Sequence, residues 1–125
     1  MLVVMVLGLT ACGTSSEVAN GATVDAETFA AAIKQPDTVV LDVRTPAEFS
    51  SGAIEGAVNI DVNSSDFAAG IAKLDKTKHY ALYCRSGNRS ATAMKRMQDA
   101  GFSFVYHLGG GIGAWQRAGK PVVTP

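Results

Sequence analysis

The residues of this chain best suited to covalent chemistry are Cys84-Arg85-Ser86-Gly87-Asn88-Arg89, a sulfur nucleophile followed by two cations and small polar residues. A free thiol has a pKa of ~8.5 and is only slightly ionised at neutral pH, whereas a helix N-terminus or a neighbouring Arg lowers that value by one to several units. The apolar run Tyr80-Ala81-Leu82-Tyr83 leads into this segment, and a helical pattern leaves it. That order predicts a strand-to-helix turn at the carboxyl edge of a sheet, where open α/β sheets bind ligands. Backbone N–H groups curling into a helix start form a cradle for an anion there. Cys84 is therefore the candidate catalytic residue, and Arg85, Ser86, Gly87, Asn88 and Arg89 are the candidate substrate-binding loop. The competing reading is a buried structural cysteine, the commonest fate of a lone Cys. Five polar or glycine residues directly after Cys84 argue against burial.

The elements that must hold this loop alternate strand with helix from residue 22 onward, the pattern of parallel strands joined by crossover helices. Short apolar, β-branched runs predict strands over 22–24, 39–43, 57–60, 79–84 and 104–108, a sheet of about five parallel strands flanked by helices. Asp25 is placed to cap a helix over 26–34. Thr45-Pro46-Ala47-Glu48 combines a capping box with proline at the first helical position, and Ser64 or Ser65 is placed to cap a helix over 67–73. Residues 88–100 carry an apolar stripe of Ala91, Ala93, Met94, Met97 and Ala100 and stop at Gly101, in the C′ position.

A chain of 125 residues, 47% hydrophobic and 18% charged, suits one folded domain. Eleven Lys and Arg balance eleven Asp and Glu, with no basic run, which leaves no electrostatic footprint for nucleic acid. The two His and the free thiol lack any zinc-ligand spacing, so neither a metal nor another cofactor is called for. His79 and His107 read as solvated or locally bonded, and Trp115 as core beneath a glycine turn. Gly109 to Gly111 read as that turn rather than as a phosphate cradle.

The first residues follow a different logic. Residues 2–9, LVVMVLGL, are apolar and uncharged but far shorter than the ~20 residues of a spanning helix, the length of a signal h-region. The tetrapeptide Leu9-Thr10-Ala11-Cys12 resembles the lipobox of bacterial lipoprotein precursors. That resemblance implies a signal peptide over 1–11, lipidation at Cys12 and a membrane-anchored protein of the cell envelope. The competing reading is a buried N-terminal strand with an incidental cysteine. A diacylglycerol exceeds the single acyl chain that binds only marginally. The small polar residues 12–21 then act as a flexible tether of about 15 to 18 Å root mean square over its last nine residues, with the domain over 22–125.

Three ordered blocks carry a second resemblance: LDVRTPAEF at 41–49 with GAIEGAVNI at 52–60, YCRSGNRS at 83–90, and LGG at 108–110 followed by GAW at 113–115 and GKPV at 119–122. Together they resemble rhodanese-like domains over about a hundred residues. The resemblance implies a rhodanese-like α/β fold in which Cys84 takes a sulfane sulfur and holds it as a persulfide. Residues 85–89 cradle it, with Arg85 and Arg89 supplying positive charge. Ala53 departs from the family, many of whose members have His there. Asp42, Arg44 and Glu48 read as structural, in a strand end, an ion pair and a helix cap.

Three functions follow from this reading. The first is a sulfurtransferase moving sulfur from a small anionic donor such as thiosulfate to a thiol or cyanide acceptor. The second is a sulfur relay between envelope proteins, and the third a membrane-tethered interaction module. The fold also resembles that of a group of dual-specificity phosphatases, but their loops run seven residues from cysteine to arginine, against six from Cys84 to Arg89.

Overall fold

The computed structural model describes residues 17–125; Cys12 and the expected signal peptide lie outside the described residues. Five strands, β1 (Thr23–Val24), β2 (Thr38–Asp42), β3 (Val58–Asn59), β4 (His79–Tyr83) and β5 (Val105–Leu108), form one parallel sheet in the order β1-β5-β4-β2-β3. Five helices connect or follow them: α1 (Ala26–Ala32), α2 (Pro46–Ser51), α3 (Phe67–Ala72), α4 (Asn88–Asp99) and α5 (Gly111–Arg117). The parallel α/β architecture is the one expected. From β2 the chain moves outward to β3, and from β4 it moves the opposite way to β5. The carboxyl ends of β2 and β4 therefore flank the crevice where such sheets place ligands.

Strand alternation divides the core into two layers. Tyr80, Leu82 and Cys84 from the β4 line point with Leu41, Val43 and Val105 toward Phe67 and Ile71 of α3 and Ala93 and Met97 of α4. Ala81, Tyr83, Tyr106 and Leu108 point the other way, toward Phe29 of α1 and Ile112 and Trp115 of α5. Phe29 meets Tyr83, Tyr106 and Trp115 edge-to-face at centroid separations of 6.5, 6.1 and 6.1 Å, the geometry favoured by ring quadrupoles. Trp115 is core, as expected, and its indole N–H donates to the Pro121 carbonyl at 2.8 Å.

The local start signals hold where they act within one turn. Asp25 accepts from the Thr28 N–H at 2.8 Å, and both halves of the Thr45/Glu48 capping box are made. At α3 the expectation fails: Asp66 occupies the cap without a side-chain bond. Ser64 Oγ instead accepts from the Asp66 N–H at 3.1 Å, within the turn that precedes α3. The α4 stripe is also narrower than expected. Ser90, Ala93 and Met97 face the sheet and Met94 is half-buried, while Ala91 and Ala100 are exposed because they sit off that face. The expected tether is not free at its end: the Gly21 N–H donates to the Val105 carbonyl at 2.7 Å, and Asn20 Oδ1 accepts from the Val105 N–H at 3.1 Å. Val18 packs on the core, so residues 18–21 form a turn held against the domain ahead of β1.

Candidate active site

Cys84 follows β4 directly and keeps its strand parity, so its side chain turns inward beneath α4. It is 1% exposed, which corrects the expectation drawn from the polar residues after it. Those residues wrap over the sulfur while the side chains of Arg85, Ser86 and Asn88 face solvent. Gly87 makes the wrap possible: its φ is +106°, and a Cβ there would collide with the Gly109 carbonyl. Gly111, at φ +61°, similarly lets the start of α5 approach the loop, where the Ile112 N–H donates to the Cys84 carbonyl at 2.9 Å and the Gly113 N–H to that of Arg85 at 3.3 Å. The glycine turn expected at 109–111 thus clamps the loop and opens α5, a helix the sequence reading did not place.

The sulfur sits at the N-terminus of α4, and the Gly87 N–H donates to Cys84 Sγ at 3.1 Å. Burial pushes the thiol up. The Ser90 hydroxyl and the N–H groups of Ser90, Gly87 and Ser86 outweigh that and leave it below its ordinary value. This loop therefore does to a thiol what the residue order implied, by backbone donors more than by Arg side chains.

The candidate binding residues do not act as one group. Arg85, Ser86 and Asn88 are exposed. Arg85 and Ser86 line a cleft of about 700 Å³ together with Arg44, Glu48, Ile112 and Arg117, while Cys84 lies behind its wall. Arg85 and Arg117 make no ion pair among the described residues. Arg89 is committed elsewhere: its guanidinium forks onto Glu48 at 2.7 and 2.9 Å, tying α4 to α2. Sequence reading assigned Glu48 only to its cap and missed Arg117. The Glu48–Arg89 pair spans 41 positions, and nothing local signals it.

Arg89 beside Glu48 holds the carboxyl down to about 2, with the Thr45 N–H assisting and burial opposing. A carboxylate of pKa ~4.3 in the unfolded chain and lower in the fold stabilises the folded state fully above the unfolded value. That contribution disappears as pH falls through about 2. Glu48→Gln is therefore expected to lower stability at neutral pH and to converge with the wild type in acid. Urea midpoints measured from pH 7 down to 2 check this; a constant offset between the two proteins would refute it.

The family description "Rhodanese-like domain" matches residues 25–118. The chain belongs to the rhodanese-like family. A sulfurtransferase of Allochromatium vinosum is 36% identical over 89 residues, covering 71% of this chain and 81% of that protein. The tRNA uridine(34) hydroxylase of Bradyrhizobium diazoefficiens is 43% identical over 98 residues, but the rhodanese-like chain spans only 38% of its length. Among solved structures, the crystal structure of a rhodanese-related protein from Thermoplasma volcanium superposes with a TM-score of 0.72 at 35% identity, over 82% of this chain and 98% of that one. The family match runs from the cap of α1 to the end of α5, so the rhodanese-like assignment covers the loop and the helix that clamps it.

Proposed function

We propose that this protein is a sulfurtransferase working through a Cys84 persulfide. The observation that carries the reading is the buried sulfur at the start of α4, 3.1 Å from the Gly87 N–H, where the Ser90 hydroxyl and the loop N–H groups favour the thiolate. The thiolate attacks the outer sulfur of a donor such as thiosulfate; the donor's S–S bond breaks, sulfite leaves with the electron pair, and Cys84 carries the persulfide. A thiol or cyanide acceptor then takes the terminal sulfur and returns the thiolate, in two half-reactions with a covalent intermediate. Arg85 and Arg117, at the cleft and without acidic partners among the described residues, attract the anionic donor. The sulfurtransferase of Allochromatium vinosum supports this reading by similarity.

Treatment with thiosulfate is expected to add one sulfur atom at Cys84, read by mass spectrometry of the intact protein and its peptides. No added sulfur with a titratable thiolate present would defeat the reading for this donor class. A sulfur relay, fed by a protein-borne persulfide, is the second reading. The open cleft of about 700 Å³ favours it, because such a mouth is far wider than a thiosulfate ion needs. Loading by a protein persulfide but not by thiosulfate would select it over the first reading. An interaction module, the third, would show neither.

We also propose that the protein is lipid-anchored at Cys12 in the bacterial cell envelope, on the strength of the lipobox-like Leu9-Thr10-Ala11-Cys12. Cys12→Ala is expected to release the protein from the membrane fraction. A wild-type protein that incorporates no labelled fatty acid and fractionates with the cytosol would overturn the anchor.

A further inference from the structure

The buried polar residues behind the loop form a chain that the reaction as written does not use. Cys84 Sγ lies 3.6 Å from Ser90 Oγ, Ser90 Oγ lies 2.8 Å from His107 Nδ1, and His107 Nε2 lies 2.9 Å from Thr23 Oγ1. Ser90 is fully buried and His107 is 4% exposed. Strand parity brings them together: His107 shares the sheet face of Val105, the face on which Cys84 and α4 lie.

Ser90 has one hydroxyl proton and three neighbours able to accept it: Cys84 Sγ, His107 Nδ1 and the Gly87 carbonyl at 3.2 Å. The Gly87 carbonyl already accepts from the Ala91 N–H at 3.1 Å and does not need it. The choice between sulfur and imidazole is set by the ring tautomer. With the proton on Nε2, that nitrogen donates to Thr23, Nδ1 accepts from Ser90, and the sulfur receives no hydroxyl proton. With the proton on Nδ1, Thr23 donates to Nε2, Nδ1–H donates to Ser90 Oγ, and the Ser90 proton is left for the sulfur.

We propose that His107 is a positioning residue for the Cys84 thiolate. Held by Thr23 as the Nδ1–H tautomer, it turns the Ser90 proton onto the sulfur. Chained hydrogen bonds of this kind polarise one another, so each donor strengthens the next. Burial lowers the His107 pKa and keeps the ring neutral, which leaves tautomer rather than charge as the variable. The charged groups facing Cys84 are Arg89 of α4 and, bound to it, Glu48 of α2. The elements against His107 offer it Thr23 of β1, Ser90 of α4 and its register partner Leu82 of β4, none of them charged.

The proposal rests on the reading of Cys84 as a thiolate nucleophile, and its test does not require sulfur transfer. The chain has two histidines, so ¹⁵N NMR of histidine-labelled protein, assigned with His79→Gln, reads the ring directly. A proton on Nδ1 at a pH where Cys84 is ionised is expected; a proton on Nε2 there overturns the proposal. Alkylation titrations give the functional counterpart. His107→Leu should raise the Cys84 pKa by about one unit, roughly a tenfold loss of thiolate at fixed pH. His107→Asn, whose amide N–H stands near the place of Nδ1, should stay close to the wild type. In a Ser90→Ala background His107→Leu should shift nothing further; an equal shift there would make His107 merely structural and refute the proposal. Thr23→Val, at the exposed sheet edge, gives a smaller shift in the same direction and serves if the His107 variants fail to fold. Wild-type titration in Thr23→Val, and in His107→Leu where that variant folds, overturns the idea. A low Cys84 pKa with no sulfur uptake would instead leave the role of His107 standing and defeat the sulfurtransferase reading.

Discussion

Cys84→Ser is expected to abolish sulfur transfer, with a loss on the order of 10³-fold or more, because a serine hydroxyl is neither ionised at neutral pH nor able to carry a sulfane sulfur. The same variant should show no persulfide after thiosulfate treatment. Its fold should survive, since Ser is slightly smaller than Cys and the loop N–H groups retain an acceptor. The wild type should release no appreciable phosphate from aryl phosphates. Six residues run from Cys84 to Arg89, against seven in the phosphatase pattern. The shorter ring closes around one sulfur, with the Gly87 N–H 3.1 Å from it. Arg89, at the position where the phosphatase loop ends in its arginine, is bound by Glu48 instead of standing open to a phosphate. Thiosulfate:cyanide turnover and aryl phosphate hydrolysis, measured on both proteins, check the pair of expectations. Cys84-dependent phosphate release without persulfide formation would overturn them.

Arg44→Leu is expected to be the most destabilising single change near the cleft, at about 3 to 5 kcal/mol. Asp42 is fully buried at the end of β2, and Arg44 meets both its carboxylate oxygens through Nε at 3.0 Å. Arg44 Nη2 also donates to the Gly52 carbonyl at 2.7 Å, and the Arg44 backbone N–H to Asp42 Oδ1 at 2.9 Å. Removing the guanidinium strands a buried carboxylate, which costs far more than an exposed pair would. For a domain whose whole stability is about 5 to 15 kcal/mol, a fall in the urea midpoint of about 1 to 3 M follows. An unchanged midpoint would show that Asp42 finds other donors. Both residues read as structural from the sequence, though not as each other's partners, and their atoms are directed at each other and at the turn after α2.

The sequence by itself determined what acts within a few residues. Asp25 and the Thr45/Glu48 box start their helices because a side chain reaches an N–H three positions on. The apolar runs become parallel strands because β-branched residues buried on both faces have few other stable arrangements. The polar loop between β4 and α4 announced an anion cradle for the same local reason. Only the tertiary structure decided which distant groups meet there. The order β1-β5-β4-β2-β3 carries Thr23 to His107 across 84 positions, and α4 lays Ser90 between that ring and Cys84. Strand parity, not the polarity of the residues that follow, buried the sulfur. Glu48, which α2 brings opposite α4, draws the Arg89 guanidinium away from the loop sulfur. Periodicity along a chain sets which face a residue occupies, but strand order and helix packing set what stands opposite that face.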